Sequence, residues 1–494
     1  MRPHLHASLL LTTSVLAQVP IDPPPDAQVD ELMQIVAHLA ADEMRGRATG
    51  SPEQIAAANF VAQQFATLGL EPIGDAQDGR RTWLQWFPVE QLAVAPQSKF
   101  VIEGQPVPNQ FVVMTSTELA TNISGPMQFC GLGRTTGPNP DVALGSDLTG
   151  KIAIAVVPTK SDAAPNLTAE QRFGISFQTY RQLGKVATAL SEKGAAAVVF
   201  VQVRDATGLT DCLSTLLPST QQPRISLPMP VARQRASSPA RGVPAIVLSL
   251  QASKVVLEAL HLTEQDLDEH LGDGTGVAAR TDVPATLDLA VTIRTDAKAC
   301  NVVAVLRGSD PKLAHQAVLY TAHVDHIGAR MDGAAYNGAN DNASGVAGLI
   351  GVARTFSAGP RPRRSIAFLV TAGEELGLWG SRHFVDHPAW PIENIVANIN
   401  FEMIGRTGRC TATEFLATPS YRHPRFSSLG HDAAQIAAGL GITLLPGDEY
   451  YRQSDHFPFA ERGIPALSIG DGNFVDYHLV SDDAGAVDGR RVQA

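Results

Sequence analysis

From residue 28 the apolar positions recur at three- and four-residue steps: Leu32, Ile35, Val36 and Leu39, then Phe60, Val61, Phe65 and Leu68. That period predicts helices on either side of Arg45-Gly46-Arg47-Ala48-Thr49-Gly50-Ser51, which reads as a connection between them. From about 120 to 280 the texture changes. Short apolar strands at Lys151–Val157, Ala195–Val203 and Pro244–Leu250 alternate with Gly-, Pro- and Ser-rich turns, and one helix is predicted near 179–192. No pair of metal ligands, and no nucleophile with a base, is evident there, so the block reads as a non-catalytic module. From about 287 onward, apolar runs at Leu287–Ile293, Ala317–Ala322, Ile366–Thr371, Val396–Phe401 and Ala466–Ile469 form a strand pattern. Helical stretches near 344–357, 376–387 and 425–440 lie between the later runs, which predicts an α/β sheet covered on both faces.

The first residues fit an export signal: Arg2, the apolar segment Leu9–Leu16, and a small-residue cleavage site at Val15-Leu16-Ala17. The run Pro20 to Pro25 then reads as a stiff linker. The expected destination is periplasmic or extracellular. The 494-residue chain is ordinary in composition, 44% hydrophobic and 18% charged, with a formal net charge of −11. It lacks the cationic footprint of a nucleic-acid binder. No apolar stretch approaches the ~20 residues needed to span a bilayer. Cys130, Cys212, Cys300 and Cys410 are too scattered for a C-x-x-C knuckle or a disulfide framework.

In α/β sheets, ligands sit at the carboxyl ends of the strands, and there the polar residues gather. Ala317–Ala322 runs into His323-Val324-Asp325, Ile366–Thr371 into Gly373-Glu374-Glu375, and Val396–Phe401 into Glu402. Asn340-Asp341-Asn342 precedes the helix at 344, and His478 follows the strand ending near Gly470. Each alone has a bland explanation, such as a hydrogen-bonded histidine or carboxylates favoured at a helix start. Together they match the nitrogen and oxygen ligands that zinc takes.

The same residues carry a resemblance. His323-x-Asp325, Asn340-Asp341-Asn342-Ala-Ser-Gly, Gly373-Glu374-Glu375-Leu-Gly, Asn400-Phe-Glu402-Met-x-Gly405, Ser454-Asp455-His456 and Tyr477-His478 occur in the order seen in co-catalytic zinc exopeptidases. That family includes bacterial leucyl aminopeptidases and glutamate carboxypeptidase. The first 110 residues resemble its opening helices, and 120–280 resembles the protease-associated domain often inserted in it. The resemblance implies a mixed, largely parallel central sheet flanked by helices on both faces, with an inserted mainly-β domain. The implied organisation is a signal peptide at 1–17, peptidase parts at 18–119 and 281–494, and the insertion at 120–280.

By resemblance, His323 and Glu402 hold one Zn2+ ion, Glu375 and His478 the other, and Asp341 bridges both. Glu374 is then the general base acting with a metal-bridged hydroxide. Asp325 is the acceptor that fixes the His323 tautomer, and Tyr477 donates to the oxyanion. Peptides are the expected substrates, with no nucleic-acid partner and no membrane span. The acidic pair Asp448-Glu449 inclines the reading toward an aminopeptidase over a carboxypeptidase. A catalytically silent receptor on the same scaffold would have lost ligand residues, which are all present here. A single-zinc glutaminyl cyclase fits less well with the insertion and with Asp341. The sequence departs from the family at Glu402, where aspartate is commoner, at Val480, where proline is commoner, and at its short C-terminus, which is expected to leave apolar sheet surface exposed.

Overall fold

The computed structural model describes residues 26–134, 147–157, 169–204, 208–228, 243–267 and 279–494. The expected signal segment at 1–17 and the proline linker lie outside the described residues. Two large sheets organise the rest. The first has nine strands. Its centre is four parallel strands in the order Ser365–Thr371, Ala317–His323, Ile395–Glu402, Ala466–Gly470. Antiparallel strands extend both sides, Lys298–Leu306 on one and Glu414–Thr418 on the other. The sheet is mixed, with helices on both faces, as the sequence led one to expect.

Burial explains the central strands. Ser365–Thr371 is buried at all seven positions, which a strand covered on both faces requires. On one face, Leu32, Val36, Leu39, Val61 and Phe65 of the first two helices pack with Val346 and Ile350 against Val302 and Phe368. On the other, Phe384, Trp390 and Phe459 cover Leu319 and Leu369. The helix Pro52–Thr67 starts where Ser51 accepts a hydrogen bond from the Gln54 amide, with Pro52 at its first position. It stops at Gly69, whose φ of 72° breaks the helical path. The last residues form the short helix Gly489–Gln493, whose Val492 joins the first core. Arg491, buried, donates to the Thr411, Ala412 and Glu414 carbonyls and pairs with Asp471.

The second sheet has ten strands. It includes the three expected from the sequence, found at Ile152–Val156, Ala197–Val201 and Ala245–Leu248. Its extent differs from the expected 120–280. The sheet also gathers Glu90–Val94, Lys99–Ile102, Phe111–Val113 and the start of Leu119–Phe129 before that span, and Pro284–Arg294 after it. The strand anticipated at Leu287–Ile293 therefore serves the second sheet. Its alternation of Leu287, Leu289 and Val291 inward against polar neighbours suits an antiparallel strand with one buried face. Lys298–Leu306 follows it into the first sheet. The second unit is also less purely β than expected, because helices Ala169–Glu192, Leu209–Leu216 and Leu250–Ala259 pack with its strands.

Candidate metal centre

The four parallel central strands end on one rim at His323, Thr371, Glu402 and Gly470, so residues far apart in the chain meet there. The turn Ala339–Ser344 brings in Asp341 beside them, ahead of the helix Gly345–Ala358. Its conformation is irregular, with Asp341 at φ −110° and ψ 92°. The flanking polar residues hold that shape. The Asp482 carboxylate accepts from the amides of Asn340 and Asp341. Asn342 accepts from the Met403 amide and donates to the Phe401 carbonyl, while Asn340 accepts from the Gly405 amide. Ser344 donates to the Asn340 carbonyl and accepts from the Ile404 amide. The Asn-Asp-Asn-Ala-Ser sequence thus ties the Asp341 turn to the loop after Glu402.

Two donor groups result. In one, His323 Nε2 lies 3.1 Å from Glu402 Oε1 and 3.3 Å from Asp341 Oδ1. In the other, His478 Nε2 lies 3.0 Å from Glu375 Oε2 and 3.3 Å from Asp341 Oδ2. Asp341 therefore turns one oxygen to each group. The expected residues His323, Asp341, Glu375, Glu402 and His478 are all brought together. Glu402 reaches the group despite its extra methylene, and the Ser454 hydroxyl donates to its second oxygen.

Electrostatics follow from burial and proximity. Burial raises the Glu374 carboxyl well above its usual range, and the Glu402, Glu375 and Asp455 carboxylates add to this. Glu374 belongs to neither donor group but lines the adjoining cavity. Burial opposes charge on His478, yet Glu375 and Asp341 push its pKa up to about 10. Burial likewise opposes the charge on Glu375, but the neighbouring imidazoles bring it down to about 2. Tyr477 stacks on His478 with ring centroids 3.9 Å apart. Burial and the surrounding carboxylates raise its phenol well above the ordinary value, so it remains an O–H donor.

Asp325 requires a correction. Its main-chain carbonyl, at 3.0 Å, is the partner of His323 Nδ1, whereas the carboxylate stands 3.9 Å away. The carboxylate accepts instead from the Thr49 hydroxyl and the Glu374 amide. The histidine tautomer can still be fixed, but by the backbone.

Sequence reasoning missed several contributors. His326 joins the second group, its Nδ1 being 2.6 Å from Glu375 Oε1. Its signal was a second histidine three residues after His323 on the same loop. Arg47, expected to lie in a plain connection, is fully buried and donates to the carbonyls of Leu39, Val324, Asn337 and Gly338. It anchors both ends of the segment between His323 and Asp341. Asp448 and Glu449, which inclined the reading toward an aminopeptidase, are engaged elsewhere: Asp448 with Ser420 and Thr418, Glu449 with Arg409.

A metal ion fits these residues. His478 Nε2 is buried, has no hydrogen-bond partner and faces two carboxylate oxygens. The imidazoles of His323 and His478 with the carboxylates of Asp341, Glu375 and Glu402 form a donor set suited to zinc.

Fold and donor set together define an α/β unit with a candidate metal centre on one rim of its sheet. Residues 301–494 match the family model of Peptidase family M28. The chain is 26% identical over 253 residues to aminopeptidase YwaD of Bacillus subtilis, covering 50% of each chain. It is 31% identical over 175 residues to leupeptin-inactivating enzyme 1 of Streptomyces exfoliatus, covering 35% of this chain and 36% of that one. The chain thus spans half or less of the length of these curated relatives. Its fold is that of a zinc aminopeptidase from Bacillus subtilis, with TM-score 0.56, 19% identity, and 96% and 93% of the two chains covered. Among the described residues no helix is long and apolar enough to cross a membrane.

Proposed function

We propose that this protein is a zinc-dependent exopeptidase that holds two ions and releases N-terminal residues from peptides. One observation carries the reading: Asp341 gives Oδ1 to the His323 and Glu402 group and Oδ2 to the Glu375 and His478 group. A carboxylate placed in this way would hold an ion in each group side by side. When bound, zinc supplies Lewis acidity that makes water nucleophilic near neutral pH.

The chain's own residues do the rest. Glu374 accepts the proton of the attacking water and delivers it to the leaving amine. Its raised pKa suits a group that must hold that proton between the two transfers. Tyr477 donates a hydrogen bond to the oxyanion that develops on the scissile carbonyl. Aminopeptidase specificity is supported by the cavity beside Glu374. It is lined by no lysine or arginine that would receive a substrate carboxylate. The carboxypeptidase alternative draws on Arg224, which lines the second cavity on the His478 side. The unit built on the second sheet is, in this reading, the inserted protease-associated domain. Its segment around Cys212 and Arg224 walls that cavity. The apolar N-terminal segment supports export.

The test is zinc quantification paired with two substrate sets. We expect two equivalents of zinc and turnover of aminoacyl-anilides. Cleavage restricted to N-blocked peptides with free C-termini would favour the carboxypeptidase.

A further inference from the structure

The two terminal carboxylates of the centre are held in the same way. Glu402 turns Oε1 to His323 and has its other oxygen tied by the Ser454 hydroxyl. Glu375 turns Oε2 to His478, and its other oxygen meets His326 Nδ1. His326 is fully buried, and its Nε2 has no hydrogen-bond partner. Two readings of this histidine are open: a further ligand, or a support for Glu375.

Distance decides between them. Donors each ~2.0–2.2 Å from one tetrahedral zinc stand ~3.3–3.6 Å apart. The pairs made by His323 and His478 lie at 3.0–3.3 Å, near that separation. His326 Nδ1 is 2.6 Å from Glu375 Oε1, the length of a charge-assisted hydrogen bond, and 3.8 Å from Asp341 Oδ2. In the tautomer with the proton on Nδ1, His326 donates to Glu375 and cannot ligate through that atom.

We propose that His326 is a positioning residue: it donates from Nδ1 to Glu375 Oε1 and so fixes Oε2 for the ion shared with His478 and Asp341. The inference rests on the zinc reading above. It predicts an effect on one ion of the two, because no bond of His326 reaches the His323 and Glu402 group.

The experiment is zinc titration against a competing chelator for the wild type and for His326→Ala, His326→Asn and His326→Gln, with metal-free melting temperatures alongside. In the alanine variant the affinity for one ion should fall about 10–100-fold, while the other ion and the metal-free melting temperature are unchanged. Asparagine places an N–H where Nδ1–H lies and should restore most of the loss; glutamine, reaching toward the Nε2 position, should not. If the alanine chain fails to fold, the glutamine variant replaces it. Two ions bound at wild-type affinity in both His326→Ala and His326→Gln would overturn the inference and leave the zinc reading standing. So would an asparagine variant as weak as alanine whose cobalt form shows one nitrogen ligand fewer than the wild type, because His326 would then be a ligand. A wild type that takes up no zinc would instead bring down the zinc reading itself.

Discussion

Each large sheet contains four contiguous parallel strands with helices packed on it, yet only one has a rim rich in chemistry. In the first sheet the strand ends carry His323, Glu374, Glu375 and Glu402. In the second, Leu119–Phe129, Ile152–Val156, Ala197–Val201 and Ala245–Leu248 lead into Cys130, Val157, Gln202 and Ser249. The polar side chains there are engaged by their neighbours: Gln202 donates to the Leu248 carbonyl, and Ser249 donates to Gln110 while capping the helix that follows. The same architecture offers a place for ligands in both sheets. What differs is whether the loops gather charged groups that face one another.

The sharpest way to press that difference is at Glu374. Glu374→Gln keeps the shape and removes the proton acceptor, so turnover should fall about 10²–10⁴-fold. Zinc content should be unchanged, since Glu374 is in neither donor group. Near-normal turnover with full zinc would show that the charged rim is not catalytic through this residue.

Arg47 probes what supports the rim. Its guanidinium is buried among four carbonyls on three segments. Arg47→Met leaves those acceptors without their donor and should cost about 3–5 kcal/mol of stability. Denaturant unfolding measures this directly, and a loss below ~1 kcal/mol would mean that the rim does not depend on this anchor.

The contrast between these two residues also explains what the sequence disclosed. The candidate donors at strand ends were legible because strand position follows from runs such as Ile366–Thr371, and zinc chemistry restricts residue type. Arg47 was not legible. Nothing in Arg45-Gly46-Arg47 says that one arginine faces solvent while the other is enclosed, because that depends on where Leu39, Val324 and Gly338 meet in three dimensions. Asp325 shows a finer limit. Sequence pointed to a contact between Asp325 and His323 but could not tell carboxylate from carbonyl. The full extent of the second sheet was not legible for a related reason. Strands at Glu90–Val94 and Pro284–Arg294 join it by long-range pairing that periodicity does not encode.

The rim also has an acid-sensitive support. His456, next to Asp455 in the Ser454-Asp455-His456 motif, is fully buried. Burial, aided by the charge of His423, holds its pKa down at about 3. The unfolded chain takes up this proton below about 6.5, whereas the folded one does so only near 3. Its contribution is therefore complete above pH 6.5 and is lost as pH falls toward 3. Between pH 7 and pH 5 the loss should be about 2 kcal/mol. His456→Gln should remove that slope in the metal-free protein, whatever its stability at pH 7. Equal slopes for both proteins would exclude a buried neutral histidine as the cause.

The smallest effect is expected where the second rim is altered. Gln202→Leu deletes the hydrogen bond to the Leu248 carbonyl and the contact with the Thr210 hydroxyl. Leucine fills a similar volume, so the cost should be the unpaired carbonyl, about 1–2 kcal/mol. Turnover and zinc content should stay within about twofold of the wild type, since distant, independent sites act additively. The loop 326–336 makes this a demanding control. It joins the two units through Gln222 with the Ile327 carbonyl and the Ala329 amide, Ser214 with the Met331 amide, and Asp211 with Tyr336. If Gln202→Leu lowered turnover while zinc and stability held, strain at the second rim would be reaching His326 through that loop. The two sheets would then be one functional unit, and the separation between a chemical rim and a merely structural one would no longer stand.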